Sequence, residues 1–151
     1  MPYSSPIPPH TDAVRAAVIH CSDGRYTQHC ADFVHNELGH PAADLIALPG
    51  GPACMAGHPA NFVASDRIAE ELKFLVDAHE LTRVILIAHQ GCGLYAAATG
   101  LGDSLIEGQQ KADLSEAARR IRDVTGVPDV EAWFLRIGDD GGIGFEEFGL
   151  V

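Results

Sequence analysis

Two stretches decide the fold. Arg15-Ala-Ala-Val-Ile-His20 runs directly into Cys21-Ser-Asp23-Gly-Arg25, and Arg83-Val-Ile-Leu-Ile-Ala88 runs into His89-Gln-Gly-Cys92-Gly93. Each is a short aliphatic run closed by turn-forming residues, and the second has the near-continuous apolar character of a strand covered on both faces. Residues 43–48 (ADLIAL) and 131–137 (EAWFLRI) read the same way. Between these runs the apolar period lengthens. Residues 27–38 carry Ala31, Phe33, Val34 and Leu38 and stop at Gly39; residues 60–79 carry Phe62, Val63, Ile68, Ala69, Leu72, Leu75 and Val76. A third helix is expected over 114–125, opened by Asp113 three residues before Glu116 in the manner of a capping box and closed by Gly126. Strand–helix alternation predicts an α/β domain, a mostly parallel sheet flanked by helices. The Gly/Asp-rich turn within 137–145 points to a hairpin-like turn or a short terminal strand.

In an open parallel sheet, ligands sit beyond the carboxyl ends of the strands, where the strand order reverses. With the order 2-1-3-4, the first and third strands are neighbours, and Cys21, His89 and Cys92 meet at that crevice. Two thiolates and one imidazole form a Cys₂His set, three protein ligands with a fourth position open, as a catalytic zinc requires. Asp23 and Arg25 complement it. An arginine two residues away can hold the carboxylate as a bidentate partner and keep it off the metal, leaving it to accept a hydrogen bond from the attacking hydroxide. The alternative for this pair is a purely structural ion pair at a helix start, which leaves a zinc-binding protein without turnover.

C-x-D-x-R followed 68 positions later by H-x-x-C-G, each closing an aliphatic strand, resembles the β-class carbonic anhydrases. The resemblance runs from Arg15 to the end and includes the aromatic strand at 133–137. It implies Zn²⁺ held by Cys21, His89 and Cys92, a catalytic dyad of Asp23 and Arg25, and hydration of CO₂ to bicarbonate by a metal-bound hydroxide. Relatives that hydrolyse carbonyl sulfide or carbon disulfide make that the runner-up activity, and a non-catalytic zinc-binding or regulatory domain is a third reading. A homodimer or higher homo-oligomer is also implied. The chain departs from the family after its second strand, where an R-N-A-G segment is usual and Ala47-Leu-Pro-Gly-Gly-Pro-Ala53 stands here.

Composition bounds the rest. A chain of 151 residues with 46% hydrophobic residues can bury a single core. Residues 1–12, with Pro6, Pro8 and Pro9, read as an extended arm, which leaves 13–151 as one zinc-binding domain. A net charge of −11 argues against nucleic acid or an anionic membrane as partner. The N-terminal residues have neither the basic nor the apolar part of a secretory signal, so a cytoplasmic location is expected. The glycines around Cys92 match no phosphate-loop pattern, and no pair of cysteines has the CxxC spacing of a redox centre.

The remaining Cys and His residues read as follows. Cys30 belongs to a helix core. Cys54, in the Gly/Pro loop after the second strand, falls on the same edge of the sheet as the site and could approach the metal or line the pocket, but is better read as core. His20 should face away from Cys21. His29, His35, His40 and His79 lie on helix surfaces or ends, and His58 is a candidate proton shuttle. Leu48, Phe62 and Tyr95 are candidates to line a dry pocket for an uncharged substrate.

Overall fold

The computed structural model describes residues 1–57 and 62–150, with the backbone alone for 62–64. Five strands form one sheet: β1 (Ala16–Cys21), β2 (Asp44–Leu48), β3 (Arg83–His89), β4 (Asp129–Ile137) and β5 (Ile143–Phe148). Their order is β2-β1-β3-β4-β5, with the first four parallel and β5 returning antiparallel on β4. The expected 2-1-3-4 order is therefore present, and the 137–145 stretch is a hairpin that adds a fifth strand.

Alternation along β1 and β3 divides the core into two layers. Ala17, Ile19, Val84 and Leu86 face α2 (Phe62–His79) and α4 (Asp103–Thr125), meeting Leu72, Val76, Leu114 and Ile121. Ala16, Val18, Ile85 and Ile87 face the other way, toward Tyr26, Cys30, Phe33 and Val34 of the segment containing α1 (Thr27–Asp32). Each fully buried aliphatic side chain contributes roughly 1.5–3 kcal/mol by leaving water. The expected helix over 27–38 is α-helical only to Asp32 and continues as a π-helical turn over Phe33–Glu37.

The third expected helix begins well before the anticipated start. It runs from Asp103, and Asp113 is an interior residue, 8% exposed, rather than a cap. A further short helix, α3 (Gly93–Thr99), follows the Cys92 turn directly. The expected start of the second helix at 60 lies outside the described residues. No helix among the described residues is long and apolar enough to cross a membrane.

Candidate metal centre

Parallel pairing of β1 with β3 sets His20 against Ile87. Cys21, one residue on, therefore stands at the same sheet end as His89. Cys92 lies beyond a turn that ends at the N-cap of α3. As a result the ligand atoms of Cys21, His89 and Cys92 all lie within 4.8 Å of one another. His89 and Cys92 are buried, while Cys21 is half-buried. Among the described residues no fourth His, Cys, Asp or Glu joins them.

The imidazole shows what the cluster is suited to hold. His89 Nδ1 is 2.8 Å from the carbonyl oxygen of Gln90, and a carbonyl only accepts, so this nitrogen carries the proton. The lone pair is left on Nε2, which is buried and has no hydrogen-bond partner. An orphaned buried acceptor is costly unless something binds it. With two sulfurs within 4.8 Å, it has the tautomer and the neighbours of a soft N/S metal site, so these residues fit zinc.

Electrostatics divide the thiols. The Cys92 thiol beside it, opposed by burial and aided by His89 and the backbone at Asp23 and Gly50, pulls Cys21 down to about 4. Cys92 moves up, because Cys21 is adjacent and because it is buried. The two thiols thus titrate as a pair, the first proton leaving more easily and the second less easily than from a free cysteine. Burial disfavours the His89 cation, but the Cys21 thiolate and the Gln90 carbonyl outweigh it and the net shift is upward.

Asp23 and Arg25 are bound to each other. Arg25 Nη2 donates to Asp23 Oδ2 at 2.7 Å, its Nε reaches both carboxylate oxygens at 3.1 and 3.2 Å, and its backbone N–H donates to Oδ1 at 3.0 Å. The guanidinium holds the carboxyl at about 2, so Asp23 is an anion at any ordinary pH. Arg25 also lies 5.2 Å from the centroid of the Tyr26 ring, which in turn sits 4.9 Å from that of His89. Tyr26 carried no signal in the sequence beyond being next to Arg25.

The Gly-Gly loop touches the centre. Gly51 has φ +53°, and a Cβ there would fall 2.6 Å from the backbone nitrogen of Cys21. The unusual Leu-Pro-Gly-Gly segment is therefore fitted against the strand that carries the first candidate ligand.

The other candidates separate. His20 is buried, and its Nδ1 donates to the carbonyl oxygen of Cys21 at 2.8 Å. Cys30 and Cys54 are buried thiols, both pushed up to about 12 chiefly by desolvation. His79 pairs with Asp44 at 2.6 Å, tying the end of α2 to the start of β2. Tyr95 does not present its hydroxyl to a substrate pocket: it is 2% exposed and donates to Asp113. Leu48 is half-buried, paired with Cys21 across β1 and β2 and packed against the core layer under α2 and α4. His58 and the Phe62 side chain lie outside the described residues.

A parallel sheet of this order, with a Cys–His–Cys cluster at its carboxyl end, defines an α/β domain with a candidate metal centre. The chain belongs to the β-carbonic anhydrase family: residues 11–138 match the family model described as "Putative carbonic anhydrase". No curated protein matches the sequence closely enough to count as a relative. Solved structures do match in fold. β-Carbonic anhydrase isoform I of Trichomonas vaginalis superposes with a TM-score of 0.57 at 16% identity, over 95% of this chain and 88% of that one. A carbonic anhydrase of Streptococcus mutans gives 0.56 at 15% identity, over 97% and 88%. A β-carbonic anhydrase of Sordaria macrospora, described as tetrameric, gives 0.57 at 17% identity, over 92% and 82%.

Proposed function

We propose that this protein hydrates carbon dioxide to bicarbonate at a zinc ion held by Cys21, His89 and Cys92. The buried, unpartnered Nε2 of His89, with two cysteine sulfurs within 4.8 Å, carries the reading. Zinc bound there supplies Lewis acidity and lowers the pKa of water enough to give a nucleophile near neutral pH. The protein's own groups do the rest. Two thiolates offset the charge of a divalent ion, which makes water at the centre less acidic than three imidazoles would. The Asp23 carboxylate accepts a hydrogen bond from the attacking oxygen species and aims its lone pair at the carbon. Arg25 holds that carboxylate in place and away from the fourth position.

Stopped-flow CO₂ hydration by the wild type and Asp23→Asn tests this. Zinc-dependent hydration that falls by about 10²-fold or more in the variant is expected. A zinc-loaded wild type without hydration activity leaves a metal-binding domain, and sulfide release from carbonyl sulfide in a parallel assay would move the substrate to that gas.

A homo-oligomer is proposed as well. β2 is an edge strand whose Leu45 is 54% exposed, and Phe74 on the adjacent α2 is 69% exposed. Pairing between chains would cover such an edge; light scattering at micromolar concentration should give more than 16.0 kDa. All four cysteines are free, which suits a reducing compartment such as the cytoplasm.

A further inference from the structure

One face of α4 holds both ends of the segment that carries two of the three candidate ligands. Gln110, 3% exposed, donates from Nε2 to the carbonyl oxygen of His89 at 2.8 Å. One turn further on, Asp113 accepts from the Tyr95 hydroxyl at 2.6 Å through Oδ2 and from Gln109 Nε2 at 2.9 Å through Oδ1. Tyr95 is the third residue of α3, and Cys92 is the N-cap of that helix. The ring packs with Cys92, Ala53 and Ile106 in a small apolar cluster against Cys21 and Leu94.

A buried carboxylate is an expensive way to join two helices. A leucine facing a phenylalanine fills similar space with no charge to desolvate, and a carboxylate repays its desolvation only when well-placed donors meet it. What it provides instead is direction, because a hydroxyl bonded at 2.6 Å fixes where the ring lies along α4. We propose that Asp113, acting through Tyr95, is a positioning residue for Cys92: the bond locks the first turn of α3 and so fixes the Cys92 sulfur relative to Cys21 and His89. Gln110 fixes the His89 end of the same segment independently. The proposal rests on the zinc-centre reading and does not depend on which substrate the centre serves.

The test is zinc affinity, measured by competition with a chromogenic chelator, for the wild type, Tyr95→Phe, Asp113→Leu and the double variant. Tyr95→Phe removes one oxygen atom and keeps the ring, so it should fold. The expected result is zinc binding weakened by about 10–100-fold in each single variant. The double variant should be no weaker than the worse single one, since both break the same link. Cobalt substitution supplies a second readout: the thiolate-to-metal charge-transfer band should shift or weaken in Tyr95→Phe. Zinc affinity of Tyr95→Phe within about twofold of the wild type, with an unchanged cobalt spectrum, overturns the proposal and leaves a merely structural bond. A wild type that takes up no zinc overturns the centre and this proposal together. A wild type that binds zinc but hydrates no CO₂ overturns only the activity, while the affinities of the variants still decide the positioning role.

Discussion

The Nδ1–H of His89 donates to the carbonyl oxygen of its own neighbour Gln90, at 2.8 Å, so main-chain geometry alone sets which imidazole nitrogen is free. The acceptor is a main-chain carbonyl, so the tautomer does not depend on a partner side chain. Purified protein should carry about one zinc per chain, the number one Cys₂His set holds. His89→Ala and Cys92→Ala should each lose tight binding. Metal analysis after dialysis checks both.

Removing Arg25 should change orientation, not charge. Asp23 lies at about 2 with Arg25 present and would return toward 3.8 without it, far below neutrality in either case. Arg25→Ala should therefore lower hydration at every pH between about 6 and 9, by about 10²-fold, without reshaping the profile. Stopped-flow rates across that range are the measurement.

Thiol reactivity should follow the same electrostatics. The thiolate is the nucleophile, so in metal-free protein at neutral pH Cys21, lowered by the neighbouring Cys92 thiol and the most exposed of the four, should alkylate first. Cys30 and Cys54, buried and raised to about 12, should react only on unfolding. Zinc should protect Cys21. Mass spectrometry of iodoacetamide-treated protein, with and without zinc, reads all three.

Two glycines with positive φ should respond differently to alanine. At Gly39 (φ +75°) a Cβ meets nothing within 4 Å, so Gly39→Ala should lose only about 1–2 kcal/mol for the left-handed backbone. At Gly51 the same strain is joined by the clash with Cys21, and the loss should reach about 2–5 kcal/mol. Urea unfolding of the two variants makes the comparison.

Acid should weaken the Arg136 junction. Arg136 donates to both Glu107 oxygens, at 3.1 and 2.6 Å, and also to Glu146. Arg136, then Lys111, hold Glu107 at about 2 against an ordinary 4.5. A carboxyl depressed in the folded state stabilises it above the unfolded value, and that contribution fades as pH falls from about 4.5 through 2. At a part-exposed position it amounts to about 0.5–1 kcal/mol. Glu107→Gln should thus be less stable than the wild type at pH 7, with the gap closing near pH 2 in denaturant titrations.

Much of the architecture was legible because its signals are local. The four aliphatic runs became β1 to β4 with ends within two residues of expectation, and the strand order brings Cys21, His89 and Cys92 together as anticipated. The start of α4 was not legible. Its buried face runs Ile106, Gln110, Asp113, Leu114, Ala117, so two of the first three inward positions are polar and apolar periodicity misses that turn. Asp113 resembles a helix cap in sequence because the Tyr95 hydroxyl that occupies its carboxylate lies on another helix. The same holds for Gln110 and Tyr26: their partners are chosen by tertiary packing, which no local pattern records.

The adjacency of β1 and β3 also sets an order of events during synthesis. Cys21 and Cys92 are 71 residues apart, and at about 5–20 residues per second that interval takes roughly 4–14 s on the ribosome. For that time Cys21 is a thiol whose two companions have not yet been made. A metal held by all three side chains could therefore be bound only once β3 and the Cys92 turn have joined β1, and it would have to enter at the carboxyl end of a sheet already formed.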